Sequence, residues 1–192
     1  QELAFTLADG IEYVRWALAR GLDVDAFAPM FTFNAFGGSM EIYKEIAFQR
    51  AARRMYARML KERFGAKNPR SMLIRQPVTA HIGCSSTTLQ RPLNNHTRAV
   101  IGGLACGMSG AMPLSFPPFD EPLGLGHSLE AVQLILDATR IMIHEAKIAD
   151  VNDPWAGSYM MEALTDEIEE GAWAEFDKIE KMGAEVIIPG HQ

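Results

Sequence analysis

SMLIRQPVTAHIGCSSTTLQRPLNN, residues Ser71 to Asn95, decides the fold expected of this sequence. Ser71 to Thr79 read as a strand, with Pro77, which has no amide hydrogen to give a ladder, at its end or at a bulge. Five hydroxyl or thiol side chains follow at Cys84 to Thr88, and Pro92 opens a helix at its first turn. A strand, a polar loop and a helix make one βα unit, and the same order recurs on both sides. Upstream, Met30 to Phe36 is a strand stopped by Gly37 and Gly38. Ser39 is then the expected N-cap of a helix reaching Phe64, with an apolar stripe of Ile42, Ile46, Met55 and Met59 against Lys44, Arg53, Arg54 and Lys61. Before it, Leu3, Leu7, Ile11, Val14 and Leu18 mark a first helix ending near Gly21.

Downstream, Val100, Ile101, Leu104 and Ala105 are expected to face inward on the helix begun at Pro92, which stops in the glycines of 107–110. AMPLSF, Ala111 to Phe116, is a third strand, and the loop PPFDEPLGLGH leads to a helix capped by Ser128 and running to about Glu145. Its expected inner face is Leu129, Val132, Leu136 and Ile143. A DPWAGS turn precedes a last helix, about Tyr159 to Met182, with Leu164, Ile168, Ala172 and Phe176 at four-residue spacing and Gly183 at its end. Strands alternating with helices are the pattern of an α/β fold with a parallel sheet covered on both faces. In such folds the loops after the strands build the site: 35–39, 80–91 and 117–127.

At 192 residues and 48% hydrophobic, the chain buries enough surface for an ordinary domain. A net charge of -6 argues against nucleic acid as a partner. Two cysteines, Cys84 and Cys106, imply no disulfide framework and a cytoplasmic, reducing compartment. No apolar run approaches the ~20 residues of a membrane span, so no membrane partner is expected. The sequence lacks an initiator Met and opens inside a helical pattern, which suggests a piece of something longer.

Dinucleotide, P-loop and zincin motifs are missing, and His81 with Cys84 falls short of the three or four ligands a zinc needs. Cys84 as a nucleophile would need a base beside it; a packed thiol is the simpler reading. Ser85, Ser86, Thr87 and Thr88 either satisfy backbone amides at a helix entrance or offer hydrogen bonds to a large polar ligand. Asn94 and Asn95, on a first helical turn, are placed to cap it and brace the neighbouring loop. Asp120 and Glu121 form an acidic pair on a proline-framed loop, either solvated or functional. The methionines read as core filling.

Five blocks carry more: QELAFTLADGIEYVRWALARGLDVDAFAP, EIAFQRAARRMYARMLKERFGAKNPRSMLIR, GCSSTTLQRPLNN, FDEPLGLG and DPWAGSYMMEALTDEIEEGAW. Together and in this order they resemble the large-subunit barrel of the methylmalonyl-CoA mutase family of adenosylcobalamin-dependent acyl-CoA mutases. The resemblance implies that residues 1–183 are the C-terminal portion of a (β/α)8 TIM barrel, a partial barrel followed by a further helix, with 184–192 a divergent tail. Such a barrel is threaded by the pantetheine arm of an acyl-CoA, with cobalamin across its strand ends. It also implies radical chemistry begun by cobalt–carbon homolysis.

Carried over by position, the cofactor side is Glu121, a contact of the adenosyl ribose, Gly83, against the corrin, and His81, offered by a one-residue slip before Gly83. The substrate side is Thr32, Asn34, Arg75 and Thr79. Met30 stands where the family has a CoA-contacting arginine, and Met112 and Pro117 replace polar residues at the cofactor face. The family's catalytic histidine and tyrosine, and its cobalamin module, are expected outside these residues, so no catalytic residue is assigned here. The implied partners are an acyl-CoA substrate, the remainder of the mutase barrel and a cobalamin-binding domain or small subunit, in an oligomer. A noncatalytic structural partner related to the large subunit is the alternative.

Overall fold

A computed structural model describes residues 1–33, 40–77, 86–110 and 116–183, with the backbone alone at 32–33 and 75–77. Helix α1 spans Glu2–Ala19 and buries Leu3, Leu7, Ile11 and Val14, the stripe read from their spacing. A short α2, Val24–Phe27, follows, its N-cap Asp23 accepting the Asp25 N–H at 3.2 Å, and passes into a 3-10 turn at Ala28–Met30. Strand β1 is Thr32–Phe33. Helix α3 covers Ile42–Phe64; the residue flanking its start is Glu41, and the expected cap Ser39 lies outside the described residues. A 3-10 turn at Pro69–Met72 leads into strand β2, Arg75–Pro77. Then come α4, Asn94–Met108, a 3-10 turn at Glu121–Leu123, α5, Leu129–Arg140, continued by a π-helical turn at Ile141–Glu145, and α6, Tyr159–Met182.

The partial (β/α)8 barrel of strands alternating with helices is not what the described residues form. They are predominantly helical, and their extended backbone amounts to one parallel pair, β1 with β2, of two and three residues. The reason is local. Pro29 and Pro69 each start a 3-10 turn that takes up residues expected to be strand, and the register between Thr32 and Phe33 is irregular where Phe33 meets Pro77, a residue without an amide donor. Of the expected third strand, 111–115 lie outside the described residues, and Phe116 packs its ring on α4 instead of joining a ladder.

The largest apolar cluster lies where α1, α3 and α6 meet, around Leu7, Met55, Tyr56, Met59 and Phe176. Each fully buried side chain of this size contributes about 2 kcal/mol of transfer free energy. Along the seam of α3 with α6, arginines one turn apart face acids. Arg50 meets Asp153 and Glu162, Arg54 meets Asp166 and Glu169, and Arg58 meets Glu169 at 2.5 Å. Arg63 and Arg15 share Glu180, at 2.8 and 2.7 Å.

Helices α4 and α5 turn other faces inward than their large apolar residues suggest. On α4 the buried residues are Asn95, Ala99, Gly102, Gly103, Ala105 and Cys106, with Val100, Ile101 and Leu104 only half-buried. On α5 they are Ala131, Ile135 and Ala138, while Leu129 is 85% and Leu136 47% exposed. Close approach explains α4: a Cβ on Gly103 would lie 2.2 Å from the Phe116 ring, so only glycine lets Phe116 seat there.

Candidate functional site

The first turn of α4 and the loop of 116–128 are fastened by one side chain. Asn95 is fully buried; its Oδ1 accepts the Thr88 N–H at 3.0 Å, and its Nδ2 donates to the carbonyls of Thr88 at 2.9 Å and Phe119 at 3.0 Å. Arg98, one turn on, donates to the same Oδ1 at 2.7 Å. Asn95 is on a first helical turn because Pro92 and Leu93 start the helix there, so its amide faces backwards onto the chain that enters it. The brace expected of the asparagine pair is therefore made by Asn95, and it ties the end of the hydroxyl-rich stretch to the acidic loop. Within that stretch the Thr88 hydroxyl donates to the Gln90 carbonyl at 2.9 Å, a local turn-forming bond.

The acidic pair divides. Asp120 is buried, and its Oδ2 accepts the N–H of Ser128 at 2.7 Å; Ser128 in turn caps α5, its hydroxyl accepting the Ala131 N–H at 3.2 Å. Burial opposes ionisation of Asp120, but hydrogen bonding to Ser128, with the His127 imidazole close by, outweighs it and holds the carboxyl below its ordinary value. Glu121, by contrast, stands 42% exposed on the 3-10 turn. His127 lies between them, Nε2 3.0 Å from Glu121 Oε2 and Nδ1 3.5 Å from Asp120 Oδ1. The chain returns to bring His127 back because Gly124 adopts φ 67°, a left-handed turn that glycine takes without strain.

Of the residues singled out from sequence, Thr32 and Arg75 are brought together as ladder partners, and Glu121 stands on the clamped loop. Asn34, Thr79, His81, Gly83, Cys84 and Met112 lie outside the described residues. His127 is the residue that sequence reasoning missed. The signal was an acidic pair with a histidine six residues on, and it acquires meaning only through the turn at Gly124. Among the described residues, no three His, Cys, Asp or Glu side chains converge as a metal site, and no helix is long and apolar enough to cross a membrane. A cleft of about 350 Å³ opens beside Ile74, walled by Arg50, Arg53 and Asp153. There Arg53 donates to the Ser109 carbonyl at 2.5 Å, and burial lowers its guanidinium pKa.

The family description "Methylmalonyl-CoA mutase" matches residues 1–188. The chain is 46% identical over 183 residues to the probable mitochondrial methylmalonyl-CoA mutase of Caenorhabditis elegans, and 41% identical over 184 residues to the mitochondrial methylmalonyl-CoA mutase of Homo sapiens. Each match covers 95% of this chain and 24% of the relative, so the chain spans about a quarter of the length of these curated relatives. A 2-hydroxyisobutanoyl-CoA mutase large subunit of Aquincola tertiaricarbonis is 37% identical over 188 residues, 97% of this chain and 32% of that protein. Agreement this extensive, and spread across worm, human and bacterial proteins, means that the chain belongs to the methylmalonyl-CoA mutase family.

Proposed function

We propose that this chain is part of an adenosylcobalamin-dependent acyl-CoA mutase, an isomerase that rearranges the carbon skeleton of a CoA thioester. Beyond family membership, the observation that carries the reading is the Asn95 clamp, which fastens two loops into one surface and presents Glu121 on it. A carboxylate 42% exposed, with one oxygen engaged by His127, keeps acceptor capacity for the vicinal hydroxyls of a ribose, so Glu121 fits the adenosyl group. In this reading Gly83 and His81 complete the cofactor side, and Thr32, Asn34, Arg75 and Thr79 the acyl-CoA side. Bound adenosylcobalamin supplies the radical chemistry; this chain binds, orients and excludes water.

The partners are the rest of the mutase and a cobalamin-binding domain or small subunit, in an oligomer; the name "large subunit" on the Aquincola relative supports a multi-subunit assembly. The compartment in this reading is the cytoplasm, although the worm and human relatives are named mitochondrial. One observation favours the alternative of a noncatalytic partner. Met30 is 66% exposed at the position where the resemblance implies a CoA-contacting arginine, and a thioether makes no charge-assisted contact.

The experiment mixes the full assembly with adenosylcobalamin and a series of acyl-CoAs and follows the cobalamin absorption change that reports cobalt–carbon cleavage. Cleavage with at least one acyl-CoA is expected, and comparing branched acyl groups with methylmalonyl-CoA identifies the substrate class. Silence across the series overturns the enzymatic reading in favour of the structural partner.

A further inference from the structure

The geometry points to His127 as a positioning residue that fixes the Glu121 carboxylate for ligand by tying it to the start of α5. The inference rests on Glu121 contacting the adenosyl group, as proposed above, and adds the device that holds it there. Asp120 is anchored: buried, with Oδ2 on the Ser128 N–H at 2.7 Å, it is fixed to the N-cap of a helix. Among the described residues Glu121 has no such anchor. It starts a three-residue 3-10 turn, its side chain is 42% exposed, and its Oε2 lies 3.0 Å from His127 Nε2. His127 closes the chain of contacts, its Nδ1 3.5 Å from Asp120 Oδ1, a buried oxygen without a hydrogen-bond donor among the described residues.

The chemistry of the imidazole sharpens the argument. A neutral ring carries one N–H and donates to one carboxylate while turning a lone pair towards the other; the doubly protonated ring donates to both. Among the described residues the charged groups against His127 are these two carboxylates, one facing each ring nitrogen, so an N–H on either nitrogen meets a carboxylate oxygen. Position then passes from the α5 cap to Asp120, to His127 and to Glu121. Without the histidine, an exposed glutamate loses rotamer definition, and a ligand must order it on binding.

The test measures binding of adenosylcobalamin and of methylcobalamin, which lacks the adenosyl group, to the full mutase assembly carrying His127→Ala, His127→Gln, Glu121→Gln or the double change His127→Ala with Glu121→Gln. The expected result is that His127→Ala weakens adenosylcobalamin about tenfold and leaves methylcobalamin unchanged. His127→Gln, whose amide donates to Glu121, should recover most of the loss, and His127→Ala should cost nothing further in the Glu121→Gln background. Equal weakening of both cobalamins by His127→Ala, no weakening at all, or additive effects in the double variant overturns the inference. If Glu121→Gln is selective for adenosylcobalamin and His127→Ala is silent, this inference alone fails. If Glu121→Gln affects neither ligand, the assignment of Glu121 falls and takes the role of His127 with it.

Discussion

The seam between α3 and α6 and the clamp at Asn95 both hold elements together with polar groups, but they are built on opposite terms. In the seam the central charges have more than one partner: Glu169 takes Arg54, Arg58 and the Trp173 indole N–H at 3.2 Å, Arg50 takes two acids, and Glu180 takes two arginines. Water reaches it too, since the Arg58 side chain is 53% and the Asp166 side chain 60% exposed. Asn95 is 0% exposed and serves two carbonyls and an amide that have no second partner among the described residues. Redundant, hydrated charges tolerate the loss of a member, whereas a single buried amide does not.

The sharpest way to break the comparison is Asn95→Ala. It removes three part-buried hydrogen bonds at once, those to the Thr88 N–H, the Thr88 carbonyl and the Phe119 carbonyl, and at about 1 kcal/mol each the expected loss is about 3 kcal/mol. The shift in urea unfolding midpoint measures it, and amide hydrogen exchange at Thr88 should accelerate. A loss under about 1 kcal/mol would show that water replaces the amide and that the two regions are not different in kind.

The clamp was legible before the structure because it depends on short-range facts: Pro92 opens a helix, and an asparagine in the first turn of a helix bonds to the chain entering it. Helix α6 was legible for a similar reason, its four-residue spacing and the Gly183 stop giving Tyr159 to Met182. The faces of α4 and α5 were not, because burial there follows what approaches the helix rather than what is greasiest on it. Phe116 selects Gly103 on α4, and Ala131, Ile135 and Ala138 pack inward while Leu129 is left at the solvent. The barrel was overread because short apolar runs carry no period, and prolines at their edges turned several expected strand residues into 3-10 turns. The role of His127 needed a chain reversal that no spacing rule encodes.

Within the seam, the largest effect belongs to Glu169→Gln. Its carboxylate is 6% exposed, but the guanidinium groups it releases are partly hydrated, so the cost falls below that of a fully buried pair, at about 1 to 2 kcal/mol. The same unfolding midpoint reads it, and a loss as large as that of Asn95→Ala would erase the contrast.

Acid supplies a finer test. Gly157 N–H and Arg50 hold Glu162 below its ordinary value of 4.5, and at Glu180 Arg63 and Arg15 do the same against the opposing effect of burial. A folded pKa below the unfolded one means that the stabilisation is complete above pH 4.5 and drains away as pH falls through the folded value. Stability measured from neutrality down to about pH 3.5 should therefore decline in that limb. Arg63→Gln combined with Arg15→Gln should flatten the part owed to Glu180, by less than about 1 kcal/mol because these groups are partly exposed. An unchanged acid limb in the double variant would mean that the pair adds nothing to the seam.

The smallest expected effect is at the start of α3, where Lys44 lies 2.8 Å from Glu41 with side chains 60% and 61% exposed. Geometry alone would rank this pair with the seam, since its distance matches that of Arg63 to Glu180. Exposure separates them: in water the Coulomb gain is nearly cancelled by hydration and by the entropy of holding two flexible chains together. Lys44→Gln should therefore change stability by less than about 0.5 kcal/mol, and added salt should leave even that difference unmeasurable. If Lys44→Gln costs as much as Glu169→Gln, distance rather than burial ranks the ion pairs of this protein, and the seam is no more than a row of surface contacts.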